Sequence, residues 1–96
     1  MRLECINIEY DVYRRESYKS YQMYDENHNE HEFTIIFKIR HKELGKCEQS
    51  HENVLELREY DKCYLICTDY GNYYIDKNEP GKSMFVGYTI IPKEVN

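Results

Sequence analysis

Residues 6–12 read Ile-Asn-Ile-Glu-Tyr-Asp-Val, an alternation that puts Ile6, Ile8, Tyr10 and Val12 on one face. A two-residue period is the mark of a half-buried β-strand, because successive side chains leave the backbone on opposite sides. The same period returns at 31–41, where Phe33, Ile35, Phe37 and Ile39 form an apolar face opposed by Thr34, Lys38 and Arg40. Between these strands, Tyr18, Tyr21 and Tyr24 recur every three residues, which suits a helical stripe. The stretch 14–24 is thus ambiguous: Arg14–Tyr18 could equally bend between strands, and with no Gly or Pro before Gly45 the first connection lacks a clear turn signal.

Beyond Gly45 the segments shorten and turns punctuate them. His51–Tyr60 reads as a strand through Leu55 and Leu57, with a helix capped by Ser50 as the competing reading. Cys63–Asp69 alternates, and Asp69-Tyr70-Gly71-Asn72 supplies a turn whose Gly and Asn tolerate positive φ. Tyr73–Lys77 follows, then the Pro80-Gly81 turn. A last strand over 83–91 carries Met84, Val86, Tyr88 and Ile90, and Pro92 stops it. Sequential strands joined by tight turns build an antiparallel meander. The expected fold is mainly β or α+β: one domain over 1–96 with five to six antiparallel strands, curled or covered by at most one short helix.

A chain of 96 residues holds one modest core. Its aromatics are eleven Tyr, three Phe and no Trp, more tyrosine than such a core needs, so several should lie on the surface. The net charge is −5, and it is concentrated: residues 25–32 carry −4 and 47–62 carry −3, with +3 over 33–46 between them. An acidic field repels phosphate backbones and disfavours direct nucleic-acid binding. No segment approaches the length of a membrane span, and residues 1–11 lack the apolar run of a signal peptide. Cys5, Cys47, Cys63 and Cys67 are too sparse for a disulfide scaffold, so reduced thiols in a cytoplasm are expected.

Motifs that resemble chemistry fail at required positions. Gly81-Lys82-Ser83 ends like a phosphate-binding loop, but Asp76 stands where its first Gly must be, and a strand follows instead of a helix. Asp25, Asn27 and Asn29 match the first ligands of a calcium loop, yet Glu30 replaces the turn glycine and Ile36 the closing glutamate. Cys47, His51, Cys63 and Cys67 are residue types that zinc accepts, but a strand over 63–67 holds its two sulfurs roughly 13 Å apart. No nucleophile elbow is present. No enzyme activity, metal or cofactor is therefore expected.

The remaining signal is tyrosine beside clustered acid. Tyr18, Tyr21 and Tyr24 lead into Asp25, Glu26, Glu30 and Glu32, and Glu52, Glu56 and Glu59 form a second acidic stretch. Tyrosine is enriched at binding hot spots, and carboxylates complement Arg and Lys. These residues are expected to dock on a basic protein surface such as the channel of a nucleic-acid enzyme, carboxylates replacing phosphates and tyrosines replacing bases. In composition the chain resembles the small acidic inhibitors carried by phages and mobile elements, anti-CRISPR proteins among them. That resemblance implies an inhibitor acting inside a host cell and assigns no residue a role. Two other readings stand beside it. Lys38, Arg40, Lys42 and Lys46 could hold an anionic ligand or nucleotide, making the domain a sponge-type module, or the chain could be a homo-oligomeric virion or assembly component.

Overall fold

The computed structural model describes residues 1–93, and every regular element among them is a strand. In chain order these are β1 (Arg2–Asp11), β2 (Glu16–Tyr24), β3 (Glu30–His31), β4 (Phe33–His41), β5 (Gly45–Glu59), β6 (Cys63–Thr68), β7 (Gly71–Asp76), β8 (Asn78–Glu79) and β9 (Ser83–Pro92). Every pairing is antiparallel, as expected, and β2–β5 and β4–β9 join strands that are not consecutive in the chain. Among the described residues there is no covering helix, and none long and apolar enough to cross a membrane.

The long β5 is the spine. Its residues 45–54 pair with β4, its residues 54–59 with β6, and Leu57–Glu59 also meet Tyr21–Lys19 of β2. β9 continues the sheet beyond β4, β7 continues it beyond β6, and β1 flanks β2. The sheet curls into a half-barrel. Tyr64 on β6 reaches Phe85 and Tyr88 on β9 with ring centroids 5.2 and 5.9 Å apart, although those strands do not pair. Lys77 ties the two ends: its N–H donates to the Lys62 carbonyl and its own carbonyl accepts from the Phe85 N–H, both at 2.8 Å.

The concave face holds the main core of Met23, Phe33, Ile35, Phe37, Val54, Leu57, Tyr64, Ile66 and Ile75. The alternation read in β4 supplies three of these side chains, Phe33, Ile35 and Phe37, each fully buried. Burying such a side chain contributes roughly 1.5–3 kcal/mol. A second, smaller cluster of Tyr18, Tyr60, Cys63 and Leu65 lies on the convex face, where the β1–β2 hairpin folds back over the β5–β6 turn.

Three segments depart from the sequence reading. Residues 16–24 form a strand, so Tyr18 and Tyr21 point to opposite faces instead of sharing a stripe. In β9 the register slips where Lys38 faces Gly87 and Ile39 faces Phe85. That bulge turns Phe85, Tyr88 and Ile90 toward the concave side and leaves Met84 and Val86 outside. Finally, Ile6, Ile8, Tyr10 and Val12 are 44–67% exposed, not half-buried. Their strand is an edge, and β2 meets β5 over only three residues, so no element among the described residues covers the far half of the hairpin.

Candidate functional site

The loop between β2 and β3 is organised by Asp25. Its Oδ1 accepts the N–H groups of Asn27 and Asn29, each at 2.9 Å, and its Oδ2 lies 2.6 Å from His31 Nε2. The His31 bond, aided by those backbone donors, holds the Asp25 carboxyl down at about 2. His28 sits at φ 62, a left-handed turn position, and its ring stacks on Tyr24 at 4.5 Å. The Tyr24 hydroxyl donates to Gln22 at 2.7 Å. Asp25, though acidic, thus serves as a brace that fixes the loop.

On that braced loop Glu26 and Glu30 are exposed, and neither lies within ion-pair distance of a cation among the described residues. Glu32 holds Lys93 at 3.2 Å, and Lys93 also reaches Asn53, the neighbour of exposed Glu52, at 3.1 Å. Glu4 joins from β1, 3.0 Å from Arg2 and 3.8 Å from His28. An open cavity of about 420 Å³ lies here, lined by Arg2, Glu4, Tyr24, Asp25, Glu26 and His28. This acidic end gathers Tyr24, Asp25, Glu26, Glu30 and Glu32, with Glu52 beside it. Glu4 is an addition that needed the β1–β2 register, since in sequence it stands twenty-one residues before Asp25.

The other residues expected at this surface lie elsewhere. Tyr18 is 6% exposed on the convex face; its hydroxyl donates to Glu9 at 2.6 Å, and the Arg58 guanidinium lies 4.8 Å over its ring. The Glu9 bond, with burial, pushes the Tyr18 phenol up to about 12. Glu56 accepts a short hydrogen bond from Ser20 and sits 3.2 Å from Arg58 Nε, bent enough that the Arg58 contact is Coulombic. Tyr21 faces the concave side, where Glu59 accepts its hydroxyl at 3.3 Å, that of Tyr64 at 3.1 Å and Lys77 Nζ at 3.0 Å. Burial opposes ionisation of Glu59, but the Lys77 bond and charge outweigh it and lower its pKa. These two carboxylates are internal pairs.

The basic residues do assemble. Lys38 and Arg40 share the outer face of β4, Arg40 stands directly opposite Lys46, and Lys38 opposite Glu48. A cleft of about 290 Å³ lies among Lys38, Arg40, Lys46, Cys47, Glu48 and Val86. Lys42, in the β4–β5 turn, donates its backbone N–H to Lys82 at 2.8 Å. No carboxylate lies within 4.0 Å of the Lys38, Arg40, Lys42 or Lys46 cationic groups among the described residues. Acidic and basic ends therefore lie at opposite ends of β4, a nine-residue strand about 26 Å long at its usual rise.

The residues that zinc could use are divided between faces. Cys47 and His51 stand opposite Ile39 and Ile35 on the concave side, whereas Cys63 lies under Tyr18 and Tyr60 on the convex side, with Cys67 packed against that cluster. Among the described residues, no three His, Cys, Asp or Glu side chains come close enough to hold a metal ion. No protein-family model matches this chain, and comparison with curated proteins and with solved structures finds no match.

Proposed function

We propose that the chain is a non-catalytic protein-binding domain that acts by occupancy, presenting its acidic end to a basic surface of its partner. The observation that carries this reading is the sorting of charge along β4, with Glu26 and Glu30 left exposed and unneutralised on a loop that Asp25 holds rigid. Carboxylates fixed before binding lose little conformational freedom on docking. Their charge also speeds encounter with a basic patch. Tyr24, stacked on His28 at the same end, supplies the aromatic surface that a base-stacking groove accepts.

The partner class that fits is a nucleic-acid enzyme whose phosphate-binding channel the acidic end fills. This reading groups the chain with small acidic inhibitors of phages and mobile elements, anti-CRISPR proteins among them, and with a cytoplasmic setting in which its four free cysteines stay thiols. The test is capture of partners from the native host followed by competition with nucleic acid. A partner released by added nucleic acid, and bound less tightly as salt rises, supports occupancy; a partner indifferent to both overturns it.

A second reading follows from the basic cleft, where Arg40 and Lys46 face each other without a carboxylate partner among the described residues. Such a cleft suits a phosphate-bearing small molecule. It predicts a thermal shift with nucleotides that disappears in the Lys38→Ala/Arg40→Ala variant.

A further inference from the structure

Strand β1 pairs with β2 along one edge, and along the other it meets nothing among the described residues. On its far half no Lys and no Pro stand between Ile6 and Tyr13, and the guards present there are the Glu9 and Asp11 carboxylates and the bulge at Ile6. Ile8 and Tyr10 are 66% and 60% exposed on the side facing Lys19 and Ser17, and Val12 and Tyr13, 67% and 95% exposed, extend the strip into the turn. A free backbone edge bordered by exposed apolar side chains is a template for another strand.

We infer that β1 pairs with β1 of a second copy of this chain, antiparallel, about a two-fold axis through Ile8. The sequence of the strand is self-complementary in that register. Ile8 meets Ile8 of the second copy, and Ile6 meets its Tyr10, a β-branched and aromatic pair of the kind that stabilises antiparallel strands. Asn7 then stands opposite Glu9 of the second copy. Within one chain Asn7 Nδ2 already donates to Glu9 Oε1 at 2.9 Å, and Asn7 Oδ1 accepts the Ile8 N–H at 2.9 Å. Pairing about Ile8 re-makes the Asn7–Glu9 bond between two chains and releases the Ile8 N–H to the new ladder. The register about Glu9 is worse, because it stacks Glu9 on itself. The bulge at Ile6 limits the ladder to residues 6–10, so the dimer is a modest one, with a dissociation constant on the order of micromolar.

Sedimentation equilibrium of the full chain from about 1 to 200 µM brackets that affinity. The expected result is a monomer–dimer equilibrium that Ile8→Lys weakens at least tenfold, because it sets two like charges on the axis. Ile8 is exposed, so at concentrations below the dissociation constant the melting temperature of that variant stays unchanged and separates lost pairing from lost folding. The register is read by oxidation. In a Cys5→Ser background, Ile8→Cys should give a covalent dimer on a non-reducing gel, because directly opposed strand residues fall within disulfide range. Leu44→Cys, at a residue 74% exposed on the distant β4–β5 turn, should not. A monomer throughout the range, a dimer indifferent to Ile8→Lys, or equal cross-linking from both positions overturns the inference.

Discussion

Phe37 shows how the fold closes. Its ring is fully buried and touches four others, with centroids 6.4 Å from His51, 5.5 Å from Tyr64, 6.0 Å from Phe85 and 5.9 Å from Tyr88. These come from β5, β6 and β9, so one side chain joins both halves of the curled sheet. Phe37→Ala leaves a cavity that no neighbour on a paired strand can fill, and should cost about 3–5 kcal/mol in denaturant unfolding. His51, against the same ring, is a different kind of residue. Its Nε2 is buried without a hydrogen-bond partner among the described residues, and burial lowers its pKa. The folded state therefore resists protonation more than the unfolded chain does. Stability from this group is full above an unfolded pKa of about 6.5 and is lost as pH falls below it. The denaturation midpoint should drop between pH 7 and pH 5, and His51→Asn should flatten that dependence.

At the scale of elements, strand bulges decide which residues can be read from the chain. β4 has no bulge of its own, and its alternation already gives the buried face. β9 has one at Val86–Gly87, so the row Met84, Val86, Tyr88 and Ile90 is split between two faces. β1 poses another problem: alternation marks a face that wants covering, and is silent on whether the chain itself supplies the cover. The tyrosines of β2 were ambiguous because a spacing of three fits a helix until pairing with β1 and β5 is known. The braced loop that follows was legible as a block of acid, but which carboxylates it presents was not. Asp25, Glu56 and Glu59 are carboxylates as Glu26 is, and only their tertiary partners separate brace and ion pair from free charge. β5 bends at Asn53, held at φ 56 beside the register shift. A side chain branched at Cβ is strained there, so Asn53→Val should cost about 1–2 kcal/mol while Asn53→Gly stays near neutral in the same unfolding assay.

For the whole molecule, 44 × 33 × 22 Å in extent, the two ends carry opposite charge while the net charge remains −5. The separation of about 26 Å along β4 exceeds the screening length of about 8 Å at physiological salt. A partner docked at one end is thus nearly blind to the other, which makes the two readings of function separable by charge reversal. Glu26→Lys/Glu30→Lys alters the acidic end without touching Asp25 or the Glu32–Lys93 pair, and Lys42→Glu/Lys46→Glu alters the basic end. Both pairs are exposed, so neither should shift the melting temperature appreciably. The decisive measurement is the affinity of both variants and the parent chain for the partner captured from the host, at one fixed salt concentration. Reversal at Glu26 and Glu30 should abolish binding while reversal at Lys42 and Lys46 leaves it intact; binding lost only in the Lys42/Lys46 variant, or kept in both, would overturn docking through the acidic end.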